Sequence, residues 1–164
     1  MSSDAIADAV GWYTKNRKKY EDLALEVKQI IEKILESKGI RAYDITHRAK
    51  DIDRFREKLE KGVHYDPKEM QDLAGVRIIG LLNTDVQRIS DIIRNSFDID
   101  ENRTKDKTKP ESPDMVGYRS IQFVAKLDRE RAKLPDYSRF KNMYFEIQVR
   151  TILQHAWAEI QHDE

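Results

Sequence analysis

Six residues near the end of the chain, Phe145 to Arg150, alternate strictly between apolar and polar side chains. Successive side chains of a strand point to opposite faces, so Glu146, Gln148 and Arg150 would share one face while the apolar face anchors the strand. A helical pattern begins directly afterwards. The segment therefore predicts a strand whose polar face is available for chemistry, although the same alternation also fits an edge strand with a solvated, salt-bridging face.

Helical and strand-like patterns interleave along the rest of the chain, and none of them repeats. Between Asp22 and Lys38 apolar residues recur at helical spacing, and Gly39 follows where a C-terminal cap would end the helix. This interleaving favours an α/β (α+β) fold with a mixed central β-sheet flanked by helices. Further helices are predicted at about 5–18, 51–61, from 83 onward and at 152–160, and extended segments at 40–49, 76–82, 97–99 and 118–127.

The remaining segments carry weaker patterns. Residues 100–115 are predicted to be a polar loop, and residues 128–142 a charged excursion between two strands. In the closing helix, Trp157 and Ile160 are predicted to be core residues. The chain ends at Glu164 directly after that helical pattern without a capping glycine, which favours a piece of a longer protein.

Length and composition limit the function classes open to this chain. Its 164 residues, 39% of them hydrophobic and 37% charged, suit one domain, composed of an N-terminal helical segment (1–39) and a core (40–164). Thirty basic and thirty acidic residues cancel, so the total charge predicts no general attraction to nucleic acid or membrane. Without cysteine there is no disulfide or thiol nucleophile. Because no apolar run reaches the roughly 18 residues that span a bilayer, a cytoplasmic location is expected.

A basic cluster lies between residues 48 and 58. Arg54 and Lys58 are one helical turn apart, so their charges would share a face and could bind consecutive phosphates. The same spacing fits an exposed basic face balanced by neighbouring acids, since charge runs are usually solvated. The candidate triphosphate ligands are Arg48, Lys50, Arg54 and Lys58.

The segment from Asp72 to Arg77, DLAGVR, joins an acid, a small-residue turn and the start of a strand. An aspartate at such a turn can reach into a cleft as a metal ligand, and Gly75 allows a ligand to approach the backbone closely. Alternatively, Asp72 only caps the turn and pairs with Arg77.

Two further segments carry candidate binding residues. In GYRSIQ, residues 117–122, Tyr118 stands at the mouth of a strand beside polar groups, as a base-stacking platform requires, although a tyrosine there can also be a core or rim residue. Upstream, four cations alternate with Thr and Asp and would form either a mobile phosphate clamp or a solvated loop. These cations are Arg103, Lys105, Lys107 and Lys109.

Taken in order, ITHRAKDIDRFREK, DLAGVR, GYRSIQ and EIQVRT resemble four motifs of the RelA/SpoT synthetase domain, a family of nucleotidyltransferase-like enzymes that make guanosine alarmones. The resemblance covers residues from about 40 to the end. It implies a GTP pyrophosphokinase that moves the β,γ-pyrophosphate of ATP to the 3′-hydroxyl of GDP or GTP, giving (p)ppGpp and AMP. It also implies Mg²⁺ as cofactor, ATP and GDP or GTP as partners, and a homo-oligomer or a place in a longer chain.

The resemblance further implies a role for each matched residue. Asp72 and Glu146 would be the catalytic carboxylates and the magnesium ligands. The residues implied to bind ATP are Arg48, Lys50, Lys58 and Arg77, together with Arg54, which replaces the family's usual serine. The residues implied to bind the acceptor are Tyr118 and Gln148. Further acceptor-side candidates are Gln122 and His155, which occupy family positions with changed residues, and Lys105, Lys107 and Lys109, which could supply cations there.

Three departures from the family pattern lie on the acceptor side, and Arg54 is the departure on the donor side. Gln122 stands where the family usually has histidine, Asp114 where many members have a phosphate-binding lysine, and His155 where some have asparagine. The donor side thus follows the family more closely than the acceptor side does. Two alternatives stay open: a toxic variant that pyrophosphorylates tRNA 3′ ends or adenosine nucleotides, and an inactive nucleotide-binding regulatory module.

Overall fold

The computed structural model describes residues 2–62, 66–107 and 119–161. It contains five helices, six strands and two 3-10 turns within those ranges. The helices are α1 (Ser3–Ser37), α2 (Ile52–Glu60), α3 (Asn83–Ser96), α4 (Arg129–Ala132) and α5 (Ile152–Gln161), and the 3-10 turns are Pro67–Glu69 and Ser138–Phe140. The strands are β1 (Asp44–Ala49), β2 (Ala74–Gly80), β3 (Asp98–Ile99), β4 (Lys105–Asp106), β5 (Ser120–Lys126) and β6 (Phe145–Thr151).

The six strands form one mixed sheet, as the interleaved pattern predicts. The order is β1-β2-β6-β5-β3, and β4 pairs with β5 beside this path. β2 and β6 run parallel, whereas the other pairs are antiparallel. β6 is therefore a central strand, and the alternative of a half-exposed edge strand is wrong. Both of its faces are covered: Phe145 and Ile147 are fully buried, and Glu146 on the opposite face is only 9% exposed.

The apolar face of the sheet forms one core with α1 and α3. Ile78 and Ile147 of the sheet belong to the same buried cluster as Leu23 of α1 and Ile89 of α3. α1 contacts β1 and β2, and α3 contacts β2 and β6. Because these helices cover the apolar face, the polar face of β2 and β6 is left for a site.

The two N-terminal helices predicted from the sequence are one continuous helix, α1. The predicted break near residue 20 was wrong, because residues 18–22 contain neither glycine nor proline and Tyr20 is buried at the middle of the helix. Lys18 and Asp22 form an ion pair of 2.8 Å across the expected gap. Gly39 ends the helix with a φ of +67°, as predicted. The division of the chain at residue 40 stays a prediction.

Two other expectations are corrected. Residues 105 and 106 of the predicted polar loop form β4, and Lys105 is paired with Gln122 of β5. Ile160 is 73% exposed and does not belong to the core, while the side chain of Trp157 lies outside the described residues. Helical spacing shows that a face is apolar, but it cannot show whether another element covers that face.

In the described ranges, no helix combines the length and the apolar character that crossing a bilayer requires.

Candidate functional site

The register of the strands places polar side chains in two rows on one face of the sheet. In the first row Arg48, Gly75 and Glu146 are neighbours across β1, β2 and β6. A Cβ atom at Gly75 would meet the Glu146 carbonyl oxygen at 4.0 Å, an ordinary contact, so glycine here leaves a gap between the two charged side chains. The second row contains Thr46, Arg77, Gln148 and Gln122.

A cleft of about 340 Å³ opens over these two rows. It brings together eight of the candidate residues from distant parts of the sequence: Arg48, Lys50, Asp72, Arg77, Lys107, Gln122, Glu146 and Gln148. Gly75 and Val76 of β2 also line it, as do Thr46 and His47, which the motif reading missed. Thr46 could have been found from strand alternation, because it lies two residues before Arg48 and so shares its face.

Asp72 is the centre of the charged cluster at one side of the cleft. Its two carboxylate oxygens accept hydrogen bonds from Lys50 Nζ at 2.7 Å and Lys58 Nζ at 3.1 Å. Burial raises the pKa of Asp72, but the hydrogen bonds and charges of the two lysines outweigh burial and hold this pKa below its ordinary value. The interpretation in which Asp72 pairs with Arg77 is therefore wrong, and Asp72 is ionised at neutral pH.

Glu146 has the opposite electrostatic setting. Burial raises its pKa, and the negative charge of Asp72 raises it further. A hydrogen bond from Gln122 and the charges of Lys58 and Lys107 act in the other direction without cancelling the increase. The cleft thus holds two carboxyl groups whose pKa values are shifted apart, which is a pattern typical of sites that move protons or bind cations.

Arg77 and Gln148 line the far side of the cleft, and Arg77 also contacts the helix α5, none of whose described residues lines the cleft. Arg77 Nε donates a hydrogen bond to Gln148 Oε1 at 3.3 Å, and Arg77 Nη1 lies 4.0 Å from Glu159 of α5. His155 Nε2 is 3.8 Å from the same glutamate. Burial and the charges of Arg150 and Arg77 lower the pKa of His155, so its imidazole is neutral at pH 7.

Several predicted site residues lie elsewhere. The side chain of Arg54 is 70% exposed and faces Glu57 at 3.9 Å, so Arg54 and Lys58 do not form the predicted shared grip. The reason is that α2 buries Phe55 and Leu59, which turns Lys58 toward Asp72 and leaves Arg54 in solvent.

The loop cations are also separated. Arg103 is held by Asp100 at 2.9 Å and by the Glu69 carbonyl at 3.2 Å, so it is not part of a mobile clamp. Lys107 lines the cleft, whereas Lys105 and His155 do not. Tyr118 and Lys109 lie outside the described residues, so their predicted roles stay predictions.

Comparison with known proteins identifies the fold and its family. Residues 47–164 match the family model described as a region found in RelA / SpoT proteins. The chain belongs to the RelA/SpoT family. The matched region contains every residue that lines the cleft except Thr46, which precedes it by one position.

Two curated relatives come from Bacillus subtilis. GTP pyrophosphokinase YwaC is 29% identical over 120 residues, which are 70% of this chain and 54% of that protein. GTP pyrophosphokinase YjbM is 29% identical over 161 residues, 88% of this chain and 72% of that protein. The chain therefore spans about half the length of the first relative and almost three quarters of the second.

The solved structures include small alarmone synthetase 1 from Bacillus subtilis bound to its product pppGpp. It is similar to this chain with a TM-score of 0.65 and 25% identity, covering 92% of this chain and 77% of that one. The α/β fold with a mixed sheet flanked by helices is thus the fold of a RelA/SpoT-family synthetase.

Proposed function

We propose that this chain transfers the β,γ-pyrophosphate of ATP to the 3′-hydroxyl of GDP or GTP and releases AMP. The observation that carries the proposal is the pair of carboxyl groups with opposite pKa shifts, Asp72 and Glu146, in one cleft with basic side chains. The names of the two curated relatives and the pppGpp-bound neighbour support this reaction.

The basic residues of the cleft suit the donor triphosphate. Lys50 and Lys58 already converge on Asp72, and Arg48 and Lys107 line the same cleft. In the proposed complex these cations neutralise the phosphate oxygens. Arg77 of β2 lines the same cleft. Phosphoryl-type transfer depends mainly on positioning and charge neutralisation, so no covalent enzyme intermediate is required.

The carboxyl pair also fits a magnesium ion. Across the ranges that the structure describes, no group of three or more His, Cys, Asp or Glu side chains could hold a metal. Mg²⁺ commonly binds through one or two carboxylates together with substrate phosphates, which matches a pair consisting of Asp72 and Glu146. Such an ion would supply charge neutralisation on the phosphates.

Glu146 is the proposed proton acceptor. In the transfer, a new bond forms between the acceptor's 3′-oxygen and the β-phosphorus of ATP, while the bond from that phosphorus to the α-phosphate oxygen breaks. The hydroxyl proton passes to the Glu146 carboxylate, and AMP leaves with the electron pair of the broken bond. A carboxylate whose pKa is raised is a better base than an ordinary one, which suits this role.

The acceptor is tested by a transfer assay. ATP labelled in its β- or γ-phosphate is supplied with Mg²⁺ and with GDP, GTP, ATP or tRNA in separate reactions. Label on GDP or GTP supports the proposal. Label only on tRNA or on an adenine nucleotide would contradict the guanosine acceptor and would support the variant that pyrophosphorylates tRNA or adenosine nucleotides. Nucleotide binding without label transfer to any acceptor would make the chain a binding module and reject the enzyme proposal.

A further inference from the structure

A second cleft opens where β5 ends, at a distance from the carboxyl pair. It encloses about 460 Å³. Gln122 of the first cleft and Lys126 of the second are four residues apart on β5, which corresponds to about 13 Å along a strand. No described residue lines both clefts. We call the second one the basic cleft, and its lining residues are Asp98, Lys126, Leu127, Arg129, Ala132, Lys133, Lys141 and Asn142.

The basic cleft carries an excess of positive charge that the whole chain does not have. Four of its lining residues are lysine or arginine and one is an acid, whereas the chain as a whole has thirty of each sign. Lys133 is 3.7 Å from Glu130, but both side chains are strongly exposed, so this pair neutralises little. Within the described ranges, Arg129 and Lys141 have no ion-pair partner.

The first cleft shows what a neutralised cluster looks like in the same molecule. There, Lys50 and Lys58 share one carboxylate at 2.7 and 3.1 Å. In the basic cleft the acid Asp98 is the register neighbour of Lys126, yet they form no ion pair within 4.0 Å in the described structure. The basic cleft therefore keeps an excess of positive charge, carried largely by the exposed side chains of Arg129, Lys133 and Lys141.

The elements around the basic cleft are held in place by short contacts. Lys126 Nζ lies 4.5 Å from the centre of the Tyr144 ring, which orients the lysine. On α4, Arg131 donates hydrogen bonds of 2.7 Å to Asp128 and to the Ser96 carbonyl, so this helix is tied to the end of α3. Asn142 has a φ of +64°, a conformation that is uncommon for a residue other than glycine. Binding an anion here would require little ordering of the framework.

We propose that the basic cleft binds a compact polyphosphate anion, such as the triphosphate group of a nucleotide, at a site separate from the carboxyl pair. A volume of about 460 Å³ falls in the range of small-ligand pockets. Ammonium and guanidinium groups from β5, α4 and the segment before β6 line the cleft and match the charge of such an anion. A cleft of this volume suits a compact anion better than an extended nucleic-acid backbone. The inference does not depend on the proposed transfer reaction.

The test is an NMR titration of the ¹⁵N-labelled full chain with inorganic tripolyphosphate. We expect saturable shifts of the amides at 127–133 and 141–143, with affinity that falls as salt is added. The double variant Arg129→Glu, Lys141→Glu should weaken binding at these amides by at least about tenfold, since each reversal replaces an attraction with a repulsion. The control variant Lys15→Glu, Lys33→Glu, which changes two exposed lysines of α1 by the same charge, should bind as the unmodified chain does.

Three results would overturn the proposal. Shifts confined to amides 74–77 and 146–148 would place the anion in the first cleft only. Equal weakening by both double variants would show a general charge effect without a site. Tighter binding of single-stranded RNA than of tripolyphosphate at the same amides would make this a nucleic-acid surface. Label transfer measured on the unmodified chain keeps the two proposals distinguishable, because an unmodified chain that transfers label but shows no anion shifts rejects only the basic cleft.

Discussion

The two sides of the first cleft differ in the contacts that fix them: short hydrogen bonds hold one side, and a longer ionic contact holds the other. On one side, which we call the lysine side (Lys50, Lys58 and Asp72), α1 fixes the corner between β1 and α2: Tyr13 Oη donates to the Lys50 carbonyl at 2.6 Å and Arg17 Nε donates to it at 3.0 Å. On the other side, Arg77 and Gln148 line the cleft, and the ionic contact that joins Arg77 to Glu159 of α5 is 4.0 Å long. We call these three residues, together with His155 of the same helix, the α5 side.

This difference suggests how one cleft can combine a fixed site with an adaptable one. A partly buried, charge-assisted cluster holds its geometry before a ligand binds, so in the proposed reaction it would position a triphosphate with little further ordering. The long contact to an exposed glutamate is weak, so the α5 side is held less firmly. In the sequence, three of the four departures from the family pattern fall on the acceptor side, and Arg54 is the departure on the donor side.

The largest predicted effect is that of removing the charge at the centre of the lysine side. Asp72→Asn should lower the transfer rate on the order of a thousand-fold, because electrostatic stabilisation of the transferring group is lost. Gln148→Ala on the α5 side should instead raise the KM for the acceptor by about tenfold and leave the KM for ATP unchanged, as expected for loss of one hydrogen-bonding group. Steady-state kinetics with each substrate varied in turn separates the two. Similar losses in both variants, with thermal melting unchanged, would contradict the division into two sides.

A smaller effect is predicted for a single cation of the lysine side. Lys50→Met should reduce kcat/KM for ATP by about 10- to 100-fold, the value of one hydrogen bond to a charged group. Arg54→Met on the neighbouring helix is the matched control. It should change kcat/KM for ATP about twofold or less, because the Arg54 side chain is mostly exposed and its contact with Glu57 is 3.9 Å long. Equal effects would show that Arg54 reaches the triphosphate after all.

The anchoring of the lysine side can be tested through stability. Tyr13→Phe keeps the ring that stacks on Phe55 at 4.5 Å but removes the hydroxyl donor, so unfolding in urea should require about 1 kcal/mol less free energy. Arg17 still bonds the Lys50 carbonyl, which prevents a larger penalty. Tyr20→Phe is the control, since the Tyr20 hydroxyl makes no hydrogen bond within the described ranges, and it should be nearly neutral. Equal losses would mean that the hydroxyl of Tyr13 does not anchor this corner.

The smallest effect concerns the charge balance of the α5 side. The pKa of His155 should lie below its ordinary value of 6.5, because burial and the charges of Arg150 and Arg77 disfavour the imidazolium form. Glu159→Gln should lower this pKa further, since the glutamate acts in the opposite direction, and Arg77→Met should raise it. NMR titration of the imidazole measures both shifts. A rise in Glu159→Gln would show that Glu159 does not face His155.

Much of the candidate site could be predicted because its residues occur in short motifs with strong local patterns. Alternation in Phe145–Thr151 predicts the face of Glu146 and Gln148, and the small-residue turn after Asp72 predicts an acid that can reach into a cleft. Arg54 could not be placed correctly, because residues one helical turn apart share a face only broadly. Because α2 buries Phe55 and Leu59, Lys58 reaches Asp72 and Arg54 does not.

The sequence by itself determined the order of elements, the polar and apolar faces of the strands and the family to which the chain belongs. Only the tertiary structure decided which charges neutralise one another. Asp72 meets Lys50 and Lys58 across 22 and 14 residues of sequence, and Arg77 meets Gln148 across 71. Periodicity arises from the local geometry of helices and strands, whereas the partner of a buried charge is set by sheet order and register, which bring distant segments together.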